Sequence, residues 1–137
     1  MNGEKVVGLT QSAGFQVGVR KTFPLRVEEA WELVTTAKGI EIWLGKVDSF
    51  PLQIGHSFHT DEGISGDIRV VNQHQNIRMN WKKEGWPRAS ILQIRTISQD
   101  SLKSTISFHQ EHLPNLEERD EMKKRWEQVL NSFKAMI

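Results

Sequence analysis

The sequence predicts an α+β domain in which a curved antiparallel sheet is covered on one face by a long C-terminal helix. Three observations predict it. After Gly45 the helical spacing of apolar residues gives way to strict alternation for about 70 residues. The segments that interrupt this alternation are short and rich in turn formers, which permits antiparallel neighbours but not parallel crossovers. From Asn115 onward the apolar positions return to helical spacing. A long amphipathic helix that follows a one-sided sheet buries its stripe by lying across the concave face.

Each element has its own signal. Residues 1–13 are polar and weakly patterned, which reads as an irregular arm or a short helical turn. Phe15, Val17 and Val19 alternate with Gln16, Gly18 and Arg20, a first strand that ends near Phe23 and Pro24. Val27, Ala30, Trp31 and Val34 then fall at i, i+3, i+4 and i+7, one stripe of a helix that stops around Lys38 and Gly39. Ile40, Trp43 and Leu44 form a second, shorter stripe that Gly45 ends. The alternating region divides into strands at 56–60, 64–71, 76–82, 89–97 and 102–113. Ile64, Ile68 and Val70, Ile77, Met79 and Trp81, Leu92 and Ile94, and Ile106 and Phe108 take one face. Asp67, Arg69, Arg78, Lys82 and Lys103 take the other. Gln110 and His112 follow the inward register of Ile106 and Phe108. Pro114 and Asn115 break the last strand, Asn115 can cap, and Glu118 completes a capping-box-like start. Met122, Trp126, Val129, Leu130, Phe133, Met136 and Ile137 make the final stripe, and Asp120 with Lys124 and Glu121 with Arg125 make the opposite face.

Composition narrows the function. A chain of 137 residues with 37% hydrophobic residues, 5 Trp and 6 Phe reads as one self-sufficient domain spanning residues 1–137, without repeats or a linker. The absence of cysteine excludes disulfides, thiolate metal sites and cysteine nucleophiles. Eighteen Lys and Arg against 17 Asp and Glu leave +1, no field for phosphate backbones or anionic lipid, so neither nucleic acid nor membrane insertion is expected. The first residues, 1–12, lack a signal-like apolar core and cleavage site, and nowhere do 18 apolar residues run together; a cytoplasmic protein is expected.

The order of elements resembles the helix-grip fold of the START-like (SRPBCC) superfamily, and the residues point to a narrower branch. Ala30-Trp31-Glu32-Leu33-Val34-Thr35-Thr36 followed by Ile42-Trp43-Leu44-Gly45 is similar to a signature of the AHSA1-like (activator of Hsp90 ATPase homologue 1-like) family. Gly55-His56-Ser57-Phe58 with Gly66-Asp67-Ile68, the strand ending in Trp81, and Thr105-Ile106-Ser107-Phe108 leading to Glu111-His112-Leu113-Pro114 continue the resemblance in order. Trp126 followed by Leu130 and Phe133 resembles the family's ending. The chain departs from the pattern at Ala37, where proline is common, at Arg125, where glycine is usual, and at Asn76, where arginine is frequent. The resemblance implies a cavity between long helix and sheet, used across the superfamily for apolar ligands, but no particular activity.

The titratable clusters offer little chemistry. His56 and His59 point to opposite faces of a strand, so only His59 and Asp61 can converge, too few ligands for a catalytic metal. His109 and Glu111 share a face that Ile106 and Phe108 assign to solvent. Lys82, Lys83 and Arg88 beside Trp81 and Trp86 read as the charged tip of a hairpin rather than a nucleic-acid patch. Trp86 itself either folds over the cavity mouth or marks a partner contact.

The leading expectation is a non-enzymatic protein without cofactor or metal that holds a small apolar or amphipathic ligand. Its expected lining is Trp43, Phe58, Ile68, Val70, Met79, Trp81, Leu92, Ile94, Ile106, Phe108, Gln110, His112, Trp126, Leu130 and Phe133. Large aromatics sharing a face with Gly66, Gln110 and His112 should pack loosely, so that Gly66→Val or Ile94→Phe would fill a void and leave the fold intact. The alternatives are a chaperone interaction module of the Hsp90-activator kind and a cyclase or dehydratase that uses inward polar groups.

Overall fold

The computed structural model describes residues 9–10, 14–47 and 49–137. Its sheet has seven strands: β1 (Leu9–Thr10), β2 (Gly14–Phe23), β3 (Ser57–His59), β4 (Ile64–Asn72), β5 (Asn76–Lys83), β6 (Ser90–Asp100) and β7 (Lys103–Leu113). They lie in the order β1-β2-β7-β6-β5-β4-β3, every pair antiparallel. Two short helices, α1 (Val27–Thr35) and α2 (Ala37–Trp43), follow β2, and α3 (Leu116–Ala135) closes the chain. Among the described residues no helix is long and apolar enough to cross a membrane.

The helices start where their caps dictate. The Glu29 carboxylate accepts from the backbone N–H of Arg26 at 3.1 Å and opens α1. α1 stops three residues before the expected Lys38, because Thr36 is extended and its hydroxyl accepts from Gly39 N–H at 3.3 Å to begin α2. The Trp43 indole donates to Val34 O at 2.9 Å and ties the two helices together. Asn115 Oδ1 accepts from Glu118 N–H at 2.8 Å and starts α3 as the capping pattern requires. The buried stripe of α3 runs from Met122 through Trp126, Val129 and Leu130 to Phe133; Met136 is half-buried and Ile137 is 53% exposed, so the stripe ends one turn earlier than expected.

Two bulges correct the expected register. In β4 an extra residue between Ile68 and Val70 puts Val70 opposite Arg78 and hands the inward place to Val71, opposite Ile77. In β7, Glu111 and His112 together face the single residue Gln16, and His112 adopts φ 63°. His112 therefore leaves the inward register and sits beside Gly14, while Leu113 enters the core. At the other end, Leu9–Thr10 is a short strand and not a helical turn; the rest of the expected arm, residues 1–8 and 11–13, lies outside the described residues.

Candidate functional site

Thirteen of the fifteen expected lining residues come together between the sheet and α3, and they are buried; Val70 and His112 are the two that do not. Trp43 comes from α2, Phe58 from β3, Ile68 from β4, Met79 and Trp81 from β5, and Leu92 and Ile94 from β6. Ile106, Phe108 and Gln110 come from β7 and Trp126, Leu130 and Phe133 from α3. Their aromatic rings pack in a row. Trp86 packs on Trp81 with ring centroids 5.7 Å apart, Trp81 on Trp126 at 5.7 Å, and Trp126 stacks on Phe108 at 4.9 Å. Trp86 is only 6% exposed, so it folds inward over this row.

Gly66 also differs from expectation. A Cβ there would lie 1.8 Å from Asn80 O and 2.7 Å from the Phe58 ring, so the glycine exists for close approach and not for a void. Phe58 sits directly across from it in the β3–β4 pair and covers it.

Four polar groups inside the core are linked in one chain. Trp126 Nε1 donates to Gln110 Oε1 at 2.8 Å, Gln110 Nε2 donates to Ser90 Oγ at 2.9 Å, and Ser90 Oγ donates to Trp81 O. Gln110 is thus an organiser of the core. The titratable pairs separate: His109 meets Gln16 at 3.2 Å and Glu111 faces Arg78 at 3.8 Å on the outer face. His56 packs edge-on against Phe50 at 5.8 Å, away from His59.

Two residues that sequence reasoning missed complete the site. Phe50 lies in the segment between α2 and β3, where no periodicity marks it, and contacts Trp43 at 5.6 Å and Phe58 at 5.5 Å. The i, i+4 pairing with Glu121 puts Arg125 on the solvent face of α3. Its Nη2 instead donates to Trp43 O at 3.0 Å, the C-terminal end of α2, and its Cζ lies 5.3 Å from the Trp81 ring centre and 5.4 Å from that of Trp126. Burial pushes the Arg125 pKa down, offset in part by the charge of Glu62, and no carboxylate forms a salt bridge with it among the described residues. The helical signal for Arg125 was its spacing, three residues after Met122 and four before Val129, at the border of the buried stripe.

Open volume lies beside this core. A cleft of about 580 Å³ runs between α2 and β3, bordered by Ile40, Gly45, Val47, Phe50, His59 and Asp61. A second groove, about 610 Å³, runs between β2 and α3 and carries Arg20, Lys21, Lys123 and Lys124 against Glu127. Leu130 is the one expected lining residue that borders either of them.

The sheet order, the paired short helices after the first long strand and the long helix gripped by the sheet define a helix-grip domain. The chain belongs to the activator of Hsp90 ATPase homolog 1-like family, whose model matches residues 24–137. Among solved structures it is similar to CalU16 from Micromonospora echinospora, with TM-score 0.76, 21% identity, and coverage of 88% of this chain and 73% of that one. It is also similar to an HSP90 activator from Plasmodium falciparum, with TM-score 0.72, 16% identity, and coverage of 88% and 94%. The Aha1 dimer from Colwellia psychrerythraea gives TM-score 0.72, 11% identity, and coverage of 87% and 92%. Likeness at these identities shows the shared fold. Among curated proteins no relative matches the sequence.

Proposed function

We propose that this chain is a non-catalytic binding protein that takes a small apolar or amphipathic molecule between its sheet and its long helix, entering beside Phe50. The observation that carries this reading is the position of Phe50. Its ring borders the 580 Å³ cleft on one side and touches Trp43 and Phe58 on the other. A cleft of that volume suits a small organic ligand. Rotation of one side chain, in a segment without regular structure, would join the cleft to the aromatic interior. Trp43 and Phe58 would be met first, and the other inward residues would supply dispersion contacts. Among the described residues the buried polar side chains are Thr60, Ser90, Thr96, Ser104, Thr105 and Gln110, hydroxyls and one amide rather than the titratable groups that proton transfer needs. A cytoplasmic single domain fits the cysteine-free composition.

The test uses the neutral probe N-phenyl-1-naphthylamine. Binding should raise the melting temperature in proportion to the logarithm of probe concentration, and Phe50→Ala should tighten it by removing the door. Amide signals of Val47, Phe50 and Phe58 should move first in NMR spectra. Absence of binding to both proteins, or signals moving only along the β2–α3 groove, would end this reading.

A second reading, a chaperone interaction module, is favoured by the β2–α3 groove, where four basic side chains face one glutamate. The family description and the Plasmodium falciparum neighbour supply the partner to try. Stimulation of ATP hydrolysis by purified Hsp90, abolished by Lys123→Glu with Lys124→Glu, would support it; an unchanged rate would remove it.

A further inference from the structure

Three N–H donors gather at one end of the aromatic core without an acceptor among the described residues: Trp81 Nε1, Trp86 Nε1 and Arg125 Nε. Both indoles are more than nine-tenths buried. The two rings are 5.7 Å apart and the guanidinium is 5.3 Å from the Trp81 ring centre, so Trp81 touches both of the others. Buried donors are nearly always paired in native interiors, and a cluster of donors alone is a place that accepts only acceptors. The acceptors nearby are already engaged. Gln110 Oε1 takes the Trp126 indole, Trp81 O takes Ser90, and the Trp43 carbonyl takes Arg125 Nη2.

We propose that Arg125, Trp81 and Trp86 form the head-group site for an anionic ligand, a carboxylate joined to an apolar body. The proposal rests on the ligand-binding reading above and names the class of ligand. Charge selects a monoanion. Arg125 is the one cation of the cluster without a carboxylate in salt-bridge contact, since Lys83, which lies over Trp86 at 5.8 Å, is held by Glu118 at 3.1 Å. Glu62, which acts on Arg125 from a distance, further disfavours a doubly charged group. The carbonyls of Trp43 and Leu44 hold Nη2, at 3.0 and 3.5 Å, and leave the Nε–H donor of the guanidinium for a carboxylate oxygen, while the indole N–H groups offer further donors. Because the Trp43 that Arg125 grips also contacts Phe50, the head-group site stands behind the cleft through which the apolar body enters.

The test compares 1-naphthaleneacetate with 1-naphthaleneacetamide, equal in ring and nearly equal in size, by calorimetry and by the indole N–H signals in ¹⁵N NMR. The acid should bind about tenfold tighter or more than the amide, because charge-assisted hydrogen bonds are roughly twice as strong as neutral ones. It should also move the Trp81 and Trp86 indole signals. Arg125→Met should abolish the preference, Arg125→Lys should keep a smaller one, and Trp86→Phe, which retains a ring and loses one donor, should lower it. If Arg125→Met does not fold, Trp86→Phe and the wild-type indole signals decide. Equal binding of acid and amide would overturn the head-group assignment and leave the ligand-binding reading standing. Binding of neither would overturn both.

Discussion

Trp126 lies flat on Phe108, with ring centroids 4.9 Å apart and planes inclined by 16°, while its indole N–H reaches Gln110 at 2.8 Å. Stacking alone would let the helix slide along the sheet. The hydrogen bond fixes the register of α3 against β7, and through Ser90 and Trp81 O it reaches β6 and β5. A polar chain of this kind contributes more to the uniqueness of the packing than to its gross stability.

Trp126 therefore has two separable contributions. Trp126→Phe keeps a stacked ring but strands Gln110 Oε1, and should cost about 1–3 kcal/mol. Trp126→Ala also deletes the ring and should cost about 3–5 kcal/mol. Urea denaturation of the two variants measures the difference; equal losses would mean that the hydrogen bond adds nothing.

Gly66 and Gly55 should respond in opposite measure to the same change. Gly66→Ala drives a Cβ into the β5 backbone and should cost more than about 3 kcal/mol. Gly55 has open space around it, and only its φ of 91° opposes alanine, so Gly55→Ala should cost about 1–2 kcal/mol. Melting temperatures that rank the two the other way would contradict the close approach of β4 and β5.

Glu29 should titrate below its ordinary 4.5, because the backbone N–H of Arg26 and then the Arg26 side chain hold its charged form. A lowered pKa in the folded state means that the cap stabilises α1 above the unfolded value and is lost as pH falls through the folded one. Titration of the Glu29 carboxyl carbon by NMR checks this. Arg26→Ala should return the midpoint only partway, since the backbone donor remains.

The long helix should exchange its amide hydrogens as slowly as β6 and β7 between Met122 and Phe133, because that stretch forms half of the core. Asn115→Ala should cost about 1 kcal/mol and speed exchange in the first turn alone. Fast exchange along the whole of α3 would contradict its packing.

The elements were legible in the sequence where one period governs many residues. Alternation places β5 and β7 within a residue or two of their ends, and the Asn115–Glu118 pair marks the start of α3. The extra residue at Ile68–Val70 and the turn at His112 were not legible, because a bulge shifts register without leaving a mark in composition. Phe50 stands in a segment with no period to read. Arg125 looks like any exposed cation until the α2 carbonyl and two tryptophans arrive from distant parts of the chain.

The pairing of β2 with β7 joins Phe15 to Leu113 and Phe23 to Ser104, so two neighbouring strands of the sheet come from opposite ends of the sequence. The strands from β3 to β6 can pair with their neighbours as each leaves the ribosome. β2 is synthesised early and then waits, one long side unmatched, until β7 has been translated, and the helix that seals the interior comes later still. Such distant pairing slows folding and leaves sticky surface in view. Until β7 and α3 emerge, the strands already made hold an uncovered aromatic side, so the last two elements decide whether the rest of the chain stays out of unproductive contacts.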